Sequence, residues 1–86
     1  MQYYTYIIKS KTFGRYYIGS CQDLTLRVER HNSGNSKSTK AFIPWEIVYF
    51  EEFDTKSEAI KRELYIKKQK SKNFIETLIH SRGRPD

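Results

Sequence analysis

The chain has 86 residues, enough for one domain but too few to bury a second hydrophobic core, and its 37% hydrophobic and 30% charged residues describe a folded globular protein rather than a disordered one. Sixteen Lys and Arg against ten Asp and Glu give a formal net charge of +6, which favours a polyanionic partner such as nucleic acid or an acidic membrane surface. No apolar run approaches the roughly 20 residues that span a bilayer and no secretory leader opens the chain, so a soluble, cytoplasmic protein without a membrane partner is expected. Cys21 stands alone, which excludes an internal disulfide, and one Cys with two His does not make a closed structural zinc site.

Gln2 to Lys9 is a β-branched and aromatic run that places Tyr4, Tyr6 and Ile8 on one face and Tyr3, Thr5 and Ile7 on the other. Lys11 to Gly14 supply a turn, and Arg15 to Cys21 read as a second strand, so the simplest arrangement is an antiparallel hairpin with Tyr6 and Tyr17 on neighbouring strands. Asp23 caps a short amphipathic helix carrying Leu24, Arg27, Val28 and His31, which Gly34 stops. Asn32 to Lys40 lack periodicity and read as a mobile basic loop before Pro44 opens a third strand, Trp45 to Phe53. Thr55-Lys56-Ser57-Glu58 is a capping box for a second helix that runs to about Lys70. Ser71 caps a third helix through His80, with Phe74, Ile75, Leu78 and Ile79 as its apolar stripe. No repeat or linker interrupts this order, so residues 1–80 form a single expected domain and residues 81–86 a polar tail.

Glu63 has Ala59, Ile60 and Ile66 as helical neighbours, which places a carboxylate at the core-facing edge of the second helix. A buried carboxylate needs a charged partner or a metal, whereas a surface pair with Lys67 at i+4 contributes only about 0.3 to 0.5 kcal/mol. The pattern alone leaves those two readings balanced. A carboxylate of this kind suits Mg²⁺, which takes one or two carboxylates and completes its shell with water and substrate phosphate. Arg27 and His31, four residues apart, project from one side of the first helix, where Arg could hold a phosphate bidentately. Taken singly, however, a solvated Arg and a His that neutralises a helix C-terminus are the more frequent roles. A tyrosine acting as a base must overcome a pKa near 10, about three units or roughly 4 kcal/mol from neutrality. Arg27, a metal or a relay through His31 could offset that cost.

Tyr4-Thr5-Tyr6, Tyr17-Ile18-Gly19, Asp23-Leu24, Arg27 with His31, and Ser57-Glu58-Ala59 with Glu63, Ile66 and Lys67 together resemble the signature of the GIY-YIG nucleases. The second triplet matches letter for letter, the first has Tyr4 and Thr5 in place of Gly and Ile, and the likeness spans roughly residues 2 to 80. Within that superfamily the chain is similar to the small stand-alone bacterial members described as excinuclease C-like or UPF0213-like. The resemblance implies an α+β fold, a three-stranded antiparallel sheet flanked by helices, and one divalent ion, Mg²⁺ or Mn²⁺. The implied activity is endonucleolytic hydrolysis of DNA leaving 5′-phosphate and 3′-hydroxyl ends, structure-directed or of low sequence specificity, in DNA repair or processing. Carried over by position, Tyr6 is the base toward the attacking water, Tyr17 assists, and Arg27 holds the scissile phosphate. Glu63 binds the metal and His31 relays a proton. Asn73 is a poor match to the family's late asparagine. Gly19 is structural, allowing close backbone approach, and Lys37 and Lys40 are candidate DNA contacts.

The nuclease reading requires Tyr6, Tyr17, Arg27 and Glu63 to converge on one concave site, and Arg27 and Glu63 on opposite faces would count decisively against it. Two alternatives compete with it: a non-catalytic nucleic-acid-binding module with Tyr3, Tyr4, Tyr6, Tyr16 and Tyr17 as an exposed stacking platform, and a scaffold protein on a degenerate nuclease fold. Because a double-strand break needs two sites or two visits, a homodimer or a partner protein supplying specificity is compatible with the nuclease reading.

Overall fold

The computed structural model describes residues 2–82, which form a three-stranded antiparallel sheet with helices on both faces, an α+β arrangement. Strand β1 (Tyr3–Ser10) is central, with β2 (Tyr16–Cys21) on one side and β3 (Trp45–Phe53) on the other. Direct pairing sets Tyr4 opposite Cys21, Tyr6 opposite Gly19 and Ile8 opposite Tyr17. These residues therefore share one face, because opposed residues of an antiparallel pair point the same way.

Helix α1 (Leu24–Asn32) covers that face. Asp23 accepts the backbone N–H of Leu26, as a capping carboxylate should, and Leu24 and Val28 pack against a buried cluster of Tyr6, Ile8, Cys21 and Trp45. On the opposite face β1 presents Thr5 and Ile7, both inaccessible to solvent. There the Thr5 hydroxyl donates to the Ala59 carbonyl of α2 (Lys56–Gln69) at 2.7 Å. The first turn of α2 is fixed by Thr55, whose Oγ1 accepts from the Glu58 N–H and donates to the Glu58 carboxylate. Ala59 and Ile66 are its buried stripe. Its outer flank is tied to β3 by Arg62, whose Nε and Nη2 donate to both oxygens of Glu51 at 3.0 to 3.2 Å, while the Tyr49 hydroxyl donates to the same carboxylate. Such a forked pair fixes rotation about a helix axis better than a single contact can.

Helix α2 closes at Lys70, which takes the left-handed conformation (φ 48°), and Ser71 caps α3 (Lys72–Arg82) by accepting the Phe74 N–H. The third helix does not stop at His80. It continues through Ser81, whose hydroxyl bonds back to the Leu78 carbonyl, to Arg82, so the polar tail expected from Ser81 starts no earlier than residue 83. Residues 83–86 lie outside the described part of the chain. Among the described residues no helix is long and apolar enough to cross a membrane.

The loop after α1 is a second correction. Far from being unanchored, it carries Thr39, which is inaccessible to solvent, and a short 3₁₀ turn at Lys40–Phe42. The Trp45 indole N–H donates to the Thr39 carbonyl at 2.9 Å. Asn32 grips the main chain of Trp45 from both sides, its Oδ1 accepting and its Nδ2 donating. A composition rich in Ser, Asn and Lys hid these tethers, because each depends on contact with a residue distant in sequence.

Candidate active site

The centre of the site is a buried hydrogen-bonded chain. Tyr6 is 1% exposed and its hydroxyl lies 3.0 Å from His31 Nε2, while His31 Nδ1 lies 2.9 Å from the Thr39 hydroxyl. The Arg27 guanidinium lies near enough to the Tyr6 hydroxyl to favour its ionised form. With the imidazole hydrogen on Nδ1, Nε2 accepts the Tyr6 hydroxyl while Nδ1 donates to Thr39; the other tautomer reverses both directions. Burial, reinforced by the Arg27 charge, lowers the His31 pKa and keeps the ring neutral. His31 is held by the Tyr6 and Thr39 hydroxyls, so its contacts lie across the fold and not only at the end of its helix.

Burial pushes the Tyr6 phenol up to about 12, with Arg27 pulling partly in the other direction. The phenol is thus further from ionisation than an ordinary tyrosine. The expectation that Tyr6 alone serves as base meets this obstacle, since a group at about 12 lies about five units from neutrality, or roughly 7 kcal/mol. Its only acceptor neighbour, His31, is the group that could take its proton.

Gly19 is what lets Tyr6 sit there. A Cβ built on Gly19 would lie 2.5 Å from the Tyr6 hydroxyl oxygen and 2.7 Å from Cζ, so the ring occupies the space that any other residue's side chain would need. Tyr17, two residues earlier on the same face, packs edge-on against His31 with ring centroids 5.0 Å apart. It is half-buried, and so forms the outer member of the Tyr6, His31, Tyr17 cluster.

The helices that carry Arg27 and Glu63 cover opposite faces of the sheet, yet both reach the outer edge of β2. From α1, Arg27 Nη1 donates to the Ser20 carbonyl at 3.3 Å, and Arg27 lines a cavity of about 250 Å³ together with Tyr3, Ser20, Lys56 and Ala59. From α2, one turn beyond Ala59, the Glu63 carboxylate accepts from Lys67 Nζ at 2.6 Å, and that ammonium lies 6.0 Å from the centre of the Tyr17 ring. Because β2 is an edge strand with nothing paired outside it, side chains from both layers meet around it. The structure thus brings Tyr6, Tyr17 and His31 together with Arg27 beside them, whereas Glu63 reaches this cluster only through Lys67. Among the described residues the cavity that Arg27 lines includes none of Tyr6, Tyr17 and Glu63, which counts against the single concave site that the nuclease reading requires.

Glu63 satisfies both balanced readings in part. It forms the i+4 pair with Lys67, and its side chain is only 17% exposed. Among the described residues no three His, Cys, Asp or Glu gather as a ready-made metal cage. A lone, mostly buried carboxylate at a solvent-facing edge fits a hard divalent ion that keeps most of its water shell and takes phosphate oxygens. Lys37 and Lys40 are exposed on the Thr39 loop and line neither the Arg27 cavity nor the groove beyond Lys67. Asn73 is exposed on α3, where its carbonyl accepts the Thr77 hydroxyl, away from this cluster. Thr39 and Lys67 are the members that sequence reasoning did not assign to the site. A lone Thr before the apolar Ala41-Phe42-Ile43 run was the faint signal for the first.

A model of the GIY-YIG catalytic domain matches residues 2–76, and the chain belongs to that family. It is similar to a UPF0213 protein of Staphylococcus saprophyticus, 48% identical over 67 residues that cover 77% of this chain and 80% of the relative. A UPF0213 protein of Staphylococcus aureus strain Mu50 is 46% identical over 66 residues, covering 76% and 79%. The solution NMR structure of a UPF0213 protein from Bacillus halodurans superposes with a TM-score of 0.58 at 34% identity, covering 99% of this chain and 89% of that one.

Neutral burial of His31 carries a prediction for stability. A group whose folded pKa lies below its unfolded value contributes stability that is complete above the unfolded pKa and is lost as pH falls, because the unfolded chain takes up the proton first. The thermal midpoint should therefore drop as pH falls below about 6.5, and His31→Gln should flatten that drop. Parallel pH profiles for the two proteins between pH 7 and 5 would rule this out.

Proposed function

We propose that this chain is a metal-dependent endonuclease that hydrolyses phosphodiester bonds of DNA, with the β2 edge as its active site. The observation that carries the proposal is the buried Tyr6 hydroxyl 3.0 Å from His31 Nε2, with the Tyr17 ring against the same imidazole. No requirement of a small folded core explains this polar set. A Phe at position 6 would fill the same space without a buried hydroxyl that has to be satisfied.

In this reading Arg27 holds the scissile phosphate and offsets the charge that builds on it during attack. Because the Tyr6 phenol stays protonated at neutral pH, it accepts a proton from the attacking water only as it passes its own to His31 Nε2. Tyr6 and His31 therefore act as a pair, and Thr39 holds the imidazole in the tautomer that leaves Nε2 able to accept. Tyr17 orients the reactants at the open side of the pair. Glu63 would hold a single Mg²⁺ or Mn²⁺, which when bound supplies Lewis-acid stabilisation of the phosphate and the leaving oxygen. The +6 charge supports a nucleic-acid substrate.

The competing platform of exposed tyrosines is not supported by the fold. Tyr6 is buried, and the rings are divided between two faces that both carry helices. The test is cleavage of labelled single-stranded, duplex and branched DNA with Mg²⁺ or Mn²⁺, comparing the wild type with Tyr6→Phe. The variant keeps the ring and loses only the hydroxyl, so cleavage should fall by at least about a hundred-fold with little change in fold. Binding without metal-dependent cutting of any substrate by the wild type would reject the nuclease in favour of the binding module or scaffold.

A further inference from the structure

Beyond Lys67, on the α2 and α3 side of β2, lies a groove of about 460 Å³ that the proposed chemistry does not use. Its floor is apolar, made by Ile18, Ile66 and Ile75, and its rim carries Arg15, Lys67, Lys70 and Lys72. Among the described residues no carboxylate lines it. The left-handed turn at Lys70 and the Ser71 cap bring the N-terminus of α3 to the same rim, adding its partial positive charge to that of the four side chains. Tyr16 forms one wall, and its hydroxyl is anchored to Glu76 of α3 at 3.3 Å, which joins the strand side of the groove to the helix side. The 60% exposed ring of Phe13 stands at the hairpin end.

We infer that this groove holds the sugar-phosphate backbone of the nucleic-acid strand flanking the scissile bond. The inference rests on the nuclease reading for the identity of the polymer, and on charge complementarity and position for the groove itself. Four cations around an apolar floor suit a chain with anions spaced along it and apolar sugar faces between them. Lys67 lines the groove while lying 6.0 Å from the centre of the Tyr17 ring and pairing with Glu63, so the groove adjoins the candidate site at Lys67. Lys67 is the hinge point: its ammonium offsets Glu63 in the free protein and can turn to a phosphate once a divalent cation takes that carboxylate.

The test measures binding in EDTA, where cleavage plays no part, by fluorescence anisotropy of labelled single-stranded and duplex oligonucleotides. The groove variant is Lys70→Glu with Lys72→Glu. Glu at position 72 sits in the first turn of α3, where a negative charge is favourable, whereas Glu at position 70 sits at the C-cap of α2. The fold of the variant is therefore checked by circular dichroism, and the Gln pair, which adds no carboxylate, is measured beside it. The control is Lys61→Glu with Lys68→Glu on exposed positions of α2 that do not line the groove, which changes the net charge by the same amount. Loss of two phosphate contacts should weaken binding at least about ten-fold and reduce the slope of log K against log salt by about two. The control should fall well short of both effects, and Lys70→Gln with Lys72→Gln should lie between the wild type and the charge reversal.

Equal losses in groove and control variants would overturn the inference in favour of a diffuse charge effect, and unchanged binding by the groove variant would overturn it outright. If the wild type cuts DNA while the groove variant binds normally, the nuclease stands and the groove falls. Groove-dependent binding by a wild type that cuts nothing has the reverse meaning.

Discussion

Glu63→Ala is expected to reduce metal-dependent cleavage by at least about a hundred-fold while binding to the same DNA, measured in EDTA, stays within about two-fold. The asymmetry follows from what the side chain touches. Its partner is Lys67, whose ammonium is nearly half exposed, so the pair contributes little to folding, and its removal takes away no positive charge that could meet phosphate. Lys67, released from the pair, would if anything attract a phosphate more strongly. Titration of Mg²⁺ or Mn²⁺ against cleavage separates the cases further. A variant that recovers activity at high metal concentration has lost affinity for the ion, whereas one that stays inactive at every concentration has lost the site. Equal loss of binding and cleavage would show that Glu63 shapes the DNA-binding surface, and would count against its role as ligand.

Gly19→Ala is expected to be the most damaging small substitution in the chain, costing about 1 to 3 kcal/mol of stability and breaking the contact between Tyr6 and His31. Gly19 lies directly opposite Tyr6 in the strand pairing, and the added methyl would lie 2.5 Å from the phenol oxygen. Relief is not available by swinging the ring away, because Tyr6 is packed with Ile8, Cys21 and Trp45 and has no free volume beside it. The conflict is therefore with a rigid ring in a filled core and not with the end of a flexible chain. Chemical denaturation would give the stability loss. The His31 side-chain signals would report whether Nε2 still accepts from Tyr6, since loss of that bond should shift the tautomer balance. Full stability with an unshifted imidazole would mean that β2 moves outward at its unpaired edge to admit the methyl.

Much of the fold was legible in the sequence because its signals are local. The alternation in Gln2 to Lys9, the cap at Asp23, the third strand from Trp45 to Phe53 and the capping box at Thr55 each reflect forces acting within a few residues, and each element appears where those forces put it. The pairing of Tyr6 with the second strand followed from hairpin geometry. Where the reading missed, the cause was a contact across the fold. Thr39 looked like one more polar residue of a loose loop until His31 and Trp45 closed on it from either side. Ser81 and Arg82 looked like tail because no tertiary signal marks where a polar helix end frays.

The candidate site divides along the same line. Its members, Tyr6, Tyr17, Arg27, His31 and Glu63, could be named from residue type, order and family resemblance, since the chain itself fixes spacing along a helix or strand. Only the folded structure could decide their chemistry. Burial raises the Tyr6 pKa and lowers that of His31, contact across the fold puts the Tyr6 hydroxyl 3.0 Å from His31 Nε2, and the edge position of β2 decides which side chains of the two helical layers come near it. Desolvation, hydrogen-bond direction and the meeting of layers are properties of atoms brought together from distant parts of the chain, and no local pattern of residues encodes them.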